Sequence, residues 1–163
     1  MPGGRSDEPL DIGAVEIEAY KVLEVGDTAP LFETQTLDGK PLKLADFKGK
    51  YVLLDFWATG CGPCLGQIPY LKAVYEAFGK DERFVIISLS LDEDAETAKK
   101  FVQENEVKWV QGFLGDWEKT PVPTQYGVVG IPAIFLIGPD GKIIARVRGE
   151  RIKPAVAEAP SAK

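Results

Sequence analysis

The chain has 163 residues, 45% hydrophobic and 27% charged, a length that suits one domain and a composition that can build a core. Its formal net charge of -6 at pH 7 argues against a nucleic-acid partner and against docking on an anionic membrane surface. No stretch approaches the roughly 20 apolar residues of a membrane-spanning helix. With two cysteines and no histidine, a closed Cys/His zinc site of about four ligands is excluded within one chain, and no metal or cofactor is expected.

Met1–Pro9 is rich in glycine, proline and charge and is expected to be disordered. It carries no apolar leader core, so the chain is expected to be either cytosolic or a processed or excised piece. Leu10–Ala19 alternates, with Ile12, Val15 and Ile17 as its apolar members. It reads either as a strand of this domain or as the last strand of a preceding module. Residues 1–23 are accordingly read as an N-terminal extension and residues 24–163 as the folded domain. Leu31–Leu37 and Pro41–Leu44 predict a hairpin about Asp38-Gly39, a tight-turn dipeptide. Tyr51–Ala58 is apolar, aromatic and branched, which predicts a buried strand. Beyond Cys64, the residues Ile68, Leu71, Val74, Tyr75 and Phe78 recur on one helical face. Phe84–Leu91 predicts a second buried parallel strand. Asp94 then caps a predicted helix through Ala95, Ala98, Phe101 and Val102, and Trp109–Phe113 predicts a short strand. Ala133–Ile137 and Lys142–Val147 predict a closing hairpin about Pro139-Asp140-Gly141. A short last helix is expected from Ile152, with Pro154 in its first turn and Pro160 stopping it. The alternation of strands and helices predicts an α/β fold with a central mixed sheet.

The chemistry concentrates at Cys61-Gly62-Pro63-Cys64, where the central strand turns into a helix. Cys61 falls at the helix N-terminus, where free N–H groups and the macrodipole favour a thiolate. Cys64 follows about one turn later, within reach of the first sulfur. A structural disulfide closing so small a loop would constrain the unfolded chain weakly. The spacing therefore predicts a redox pair: Cys61 attacks a disulfide of a partner, and Cys64 resolves the mixed disulfide. Asp55, six residues before Cys61 in the run Leu53–Trp57, is a costly place for an ionised carboxylate. It is the candidate acid–base group, the plainer alternative being a structural polar residue. Pro132 opens an apolar strand, a place where proline is tolerated as an entry residue.

Trp57-Ala58, Cys61–Cys64 and Gly130–Ile137 together resemble the thioredoxin superfamily. Val25–Phe32, Leu37–Lys40, Leu44–Lys50 and Gly138–Ile143 are similar to its TlpA/ResA and redoxin branch, and the resemblance spans about residues 24–150. It implies a thioredoxin-like fold with an extra helix and strand at about 94–114. It implies a thiol–disulfide oxidoreductase, working as a reductase on protein disulfides and recharged by a thiol/disulfide electron donor. It also implies a cis Ile131-Pro132 bond against the sulfurs, a role for Asp55 beneath them, and an extracytoplasmic place of work. Trp57, Gly60, Pro63, Ile131 and Gln67 are the expected substrate-binding positions, and a monomer is expected. Three positions depart from the branch: Gly60 stands where Trp is usual, Leu65 replaces a basic residue, and Gln67 replaces a Glu. Two other readings compete. A peroxidase would show P-x-x-x-T-x-x-C, but Leu54 and Ala58 occupy the Pro and Thr positions before Cys61, and Trp57 and Cys61 occupy them before Cys64. A non-catalytic interaction domain of a larger exported protein would fit the three departures, but not the intact Cys61, Cys64 and Pro132.

Overall fold

In a computed structural model, residues 23–161 are described; the expected disorder of Met1–Pro9 and the expected strand over Leu10–Ala19 lie outside them. Among the described residues, seven strands form one sheet: β1 (Glu33–Thr36), β2 (Pro41–Lys43), β3 (Tyr51–Trp57), β4 (Phe84–Ser90), β5 (Val110–Phe113), β6 (Ala133–Ile137) and β7 (Ile143–Arg146). Their order across the sheet is β2-β1-β5-β4-β3-β6-β7. β3, β4 and β5 are parallel neighbours, and β1, β2, β6 and β7 join antiparallel. The mixed α/β sheet expected from the sequence is thus present, with β4 at its centre and β3 between β4 and β6.

Every residue of β3 is buried, because elements cover both faces of the sheet. Side chains alternate across a strand. Val52, Leu54 and Phe56 join a cluster with Ile87, Leu89, Phe135, Phe32 and Tyr126 on one face. Tyr51 and Leu53 join Leu71, Val74, Ile152 and Val156 on the other. That second face carries α1 (Gly62–Leu65), α2 (Ile68–Phe78) and the last helix. Asp55 shares the parity of Tyr51, Leu53 and Trp57, so the alternation aims it at the motif helix.

The hairpin turns where expected, with Gly39 at φ 85°, a left-handed conformation that costs glycine nothing. The predicted helix after Asp94 is α3 (Ala95–Glu104), and Asp94 accepts a hydrogen bond from the Glu96 N–H. β5 inserts between β4 and β1, and Gly112 fits closely there: a Cβ would lie 2.5 Å from Leu42 Cδ2 and 2.7 Å from Leu89 Cδ2, so those side chains would have to move. A one-turn helix, α4 (Val122–Gln125), precedes β6 and is absent from the sequence reading.

The motif helix is kinked, and the expectation for the last helix changes. The motif helix is two segments, α1 and α2, joined through Gly66 and Gln67 in right-handed helical geometry. Pro69 is the cause: it has no N–H for the carbonyl four residues back, and its ring crowds that carbonyl. The last helix, α5 (Ile152–Ser161), is not stopped by Pro160. Ile152, Val156 and Ala159 pack into the core, and the Tyr51 hydroxyl donates to the Ala159 carbonyl at 2.9 Å. Tertiary packing therefore carries the last turn through the residue that local preference would end it on. Leu23, placed by the sequence reading in the extension, packs into the core of the domain.

The cap of α3 gives a direct check. Asp94→Ala should lower stability by about 1 kcal/mol, and Asp94→Asn by a few tenths at most. Urea denaturation midpoints measure both, and equal losses in the two variants would contradict the capping role.

Candidate active site

Cys61 and Cys64 form a disulfide with their Cα atoms 5.2 Å apart. Cys61 has extended backbone (φ -101°, ψ 103°) and is the N-cap of α1, with Pro63 in the first turn. The Cys64 N–H donates to Cys61 Sγ at 3.1 Å, the contact that would stabilise negative charge on that sulfur after reduction. Exposure separates the two sulfurs. Cys61 is half-buried, and Cys64 is 3% exposed beneath it. A partner can meet the first but not the second.

The Ile131-Pro132 bond is cis, as the family resemblance implied, and Pro132 is buried at the entry to β6. The Ile131 carbonyl oxygen lies 3.8 Å from Cys61 Sγ. Trp57 ends β3, 5% exposed, with its ring centroid 5.5 Å from that of Phe101. With Cys64 and Ala98 it forms a small third core, and Leu65 and Leu37 pack at its margin. Leu65 thus serves as an apolar contact for the inserted helix α3. Gly60 is exposed, and a Cβ there would meet nothing within 4 Å. Gln67 does not turn toward the sulfurs. Its Oε1 accepts from the Gly149 N–H at 2.6 Å and ties the turn after β7 to the motif helix.

Asp55 is 5% exposed. Burial disfavours its ionised form and pushes its pKa up to about 7; a hydrogen bond from Ser88 opposes the shift. That bond is the Ser88 hydroxyl donating to Oδ2 at 2.9 Å. Ser88 in turn accepts from Trp109 Nε1 at 2.9 Å. Asp55 and Cys64 border one small cavity of about 10 Å³, with Ser88, Trp109 and Gln111 in its wall. That is close to the smallest space that admits a water. Among the described residues, Trp57 Nε1 and Gln111 Oε1 in the same wall are buried without a hydrogen-bond partner.

Sequence reasoning missed Ser88, Trp109 and Asp92. Ser88 pairs with Asp55 in register across β3 and β4, and its one available signal was a polar residue in the otherwise apolar run Phe84–Leu91, a signal that Ser90 shares. Asp92 holds the loop before Cys61: its Oδ1 accepts from the Thr59 N–H at 2.9 Å and the Thr59 hydroxyl at 2.7 Å. Its Oδ2 accepts from the Ser90 hydroxyl at 2.7 Å.

The sequence profile described as the AhpC/TSA family matches residues 25–146, which include Cys61, Cys64, Asp55 and Pro132. The chain belongs to the AhpC/TSA family. A relative within reach of this family member is the thiol–disulfide oxidoreductase ResA of Bacillus thuringiensis subsp. konkukian, 38% identical over 83% of this chain and 76% of its own. Two solved structures agree in fold. The thioredoxin domain of a thiol–disulfide oxidoreductase from Bacteroides vulgatus superposes with a TM-score of 0.78 at 40% identity, covering 83% of this chain and 97% of that one. A thiol:disulfide interchange protein from a Bacteroides species gives 0.78 at 40% identity, covering 86% and 93%. The fold is thioredoxin-like.

Burial of Asp55 makes stability depend on pH. Its pKa is 3.8 as a free side chain and about 7 in the fold, so the folded state holds the proton more tightly. Below pH 3.8 both states are protonated and there is no penalty; as pH rises toward 7 the unfolded state loses its proton first and the fold is destabilised. The full penalty is on the order of 4 kcal/mol. The oxidised Asp55→Asn variant should therefore gain stability over wild type as pH rises from 4 to 8. Denaturation midpoints across pH test this, and a constant difference would show that Asp55 does not titrate near 7.

Proposed function

We propose that the protein is a thiol–disulfide oxidoreductase that reduces disulfides of protein substrates by cycling Cys61 and Cys64. The observation that carries this reading is the division of labour between the sulfurs: Cys61 is reachable and receives an N–H bond, while Cys64 is sealed above a carboxylate poised near neutral pH.

In the reduced protein the Cys61 thiolate attacks one sulfur of a substrate disulfide. The substrate S–S bond breaks, a mixed disulfide forms, and the departing substrate thiolate takes a proton from solvent. Cys64 then loses its proton and attacks Cys61 Sγ. The Cys61–substrate bond breaks, the second substrate thiol leaves, and the Cys61–Cys64 disulfide closes. Two electrons have passed to the substrate, and a dithiol donor returns two to the protein. Ionised Asp55 is the acceptor for the Cys64 proton, directly or through one water in the shared cavity. The Ile131 main chain, beside Pro132, lies against Cys61, where an extended substrate segment can pair with it. Trp57 packs against Cys64, Pro63 starts the helix, and Gly60 leaves the approach to Cys61 open. Gln67 borders the substrate groove but cannot take a proton, so Asp55 carries acid–base duty alone.

The direction is that of a reductase, supported by the Gly62-Pro63 pair shared with thioredoxin, whose potential is about -270 mV. An extracytoplasmic place of work, a monomeric state and a thiol/disulfide electron donor complete the reading, all supported by the resemblance to the TlpA/ResA branch. Neither cysteine has the residue spacing of a peroxidatic cysteine.

Reduced wild-type protein should cleave the disulfides of insulin. Cys61→Ser should abolish this, and Cys64→Ser should accumulate a mixed disulfide visible by mass spectrometry. Equal residual turnover in Cys61→Ser would reject Cys61 as the nucleophile.

A further inference from the structure

Beside the cis proline lies a groove of about 820 Å³, bounded by Gln67 and Tyr70 on the motif helix, by Val129–Ile134, and by the turn Arg146–Arg151 that follows β7. Its charge is opposite to that of the chain. The protein carries a net charge of -6, yet Arg146, Arg148 and Arg151 line this groove against a single carboxylate, Glu150. The sequence contains five arginines, so most of them stand at this one place. None of the three makes an ion pair with any described residue; among the described residues the pairs are Arg83–Asp81 and Lys99–Asp38. All three are exposed, so their charge faces outward. Arg146 is steadied by stacking over the Phe135 ring at 4.8 Å, and the turn bearing Arg148 is tied down by the bond from Gly149 to Gln67.

The groove also offers main chain and apolar surface. Among the described residues, the N–H groups of Gly130 and Ile131 donate to none, and the Ile131 carbonyl contacts only Cys61 Sγ. Val129 is 82% exposed and Tyr70 42% exposed at its rim. Arginine presents a planar fork that binds carboxylates through two parallel hydrogen bonds, which lysine cannot do.

We infer that this groove selects protein disulfides whose reactive cysteine lies in an extended segment bearing aspartate or glutamate, the carboxylates being held by Arg146, Arg148 and Arg151. The inference rests on the oxidoreductase reading and adds the substrate's chemistry to it. The segment's main chain pairs at Ile131, which brings its disulfide to Cys61. Its acidic side chains then meet the arginine turn a few residues away, since an extended chain advances about 3.3 Å per residue. Opposite charge across the contact speeds encounter and disfavours basic segments.

Two synthetic peptides with the same disulfide test this, one with Asp and Glu around the cysteine and one with Lys at the same positions. Second-order rate constants for exchange with reduced wild-type protein are measured by stopped flow at low and high salt. The acidic peptide should react at least about tenfold faster at low salt, with the ratio falling toward one in 0.5 M salt. The double reversal Arg148→Glu/Arg151→Glu should invert the ratio, and the single changes Arg148→Gln and Arg151→Gln should each reduce it. Equal rates for the two peptides, or a ratio indifferent to the arginine changes, would overturn the groove's selectivity and leave the redox reading standing. Absence of exchange with either peptide would overturn the redox reading, and the selectivity with it.

Discussion

A carboxylic acid sealed in the middle of a sheet is the constraint on which this structure turns. Asp55 lies in a strand buried along its whole length, flanked by Leu54 and Phe56, both at 0% exposure. A fully ionised carboxylate there would cost several kcal/mol without strong compensation. Among the described residues, Ser88 supplies one neutral hydrogen bond and no cation faces the carboxyl. The result is a group that neither stays ionised at all working pH values nor stays protonated. Balanced near pH 7, it can take a proton and return it, the property a general base in the resolving step requires.

Much of the surrounding architecture serves to keep that balance. β5 brings Trp109 to Ser88 and Gln111 to the cavity wall, while α3 lays Phe101 and Ala98 against Trp57 and Cys64. The inserted helix and strand therefore close over Cys64 and Asp55 and shield both from bulk solvent. On the opposite side of the sulfur pair the site is open, through the extended Cys61 and the exposed Gly60. Two neighbouring thiols thus meet different solvents. A nucleophile needs access and charge stabilisation; a resolving thiol needs protection until the mixed disulfide forms. Position 67 shows how the site is partitioned. Its amide oxygen is occupied by the Gly149 N–H, so its side chain shapes the groove.

What the sequence could disclose follows from how local each feature is. Cys61, Cys64 and the cap at Asp94 are set by neighbours within a turn of helix, and the strands β3, β4 and β6 by unbroken apolar runs. The hairpin follows from Asp38-Gly39. The cis bond at Pro132 was legible only through family resemblance, since bare sequence favours trans. Asp55 was legible because a carboxylate in Leu53–Trp57 breaks the run. Ser88, Trp109 and Asp92 were not, because their roles arise when β4 and β5 pair beside β3, a register that no local pattern states. The arginine groove joins residues about eighty positions apart, Gln67 to Gly149. Pro160 failed as a stop because buried contacts along α5 outweigh one lost hydrogen bond. Leu23 lies in the domain for a similar reason: its burial depends on packing partners distant in sequence.

The central claim is that ionised Asp55 takes the proton from Cys64 when the mixed disulfide resolves. The direct measurement is stopped-flow resolution of a preformed Cys61–peptide mixed disulfide across pH 5 to 9, in wild type and in Asp55→Asn. The wild-type rate should rise with pH through a midpoint near 7, the value to which burial moves Asp55. Asp55→Asn should be slower by roughly 10²-fold or more at neutral pH and should lack that midpoint, its rate following the Cys64 thiol alone. Superimposable pH profiles for the two proteins would contradict the account and leave Asp55 a structural residue.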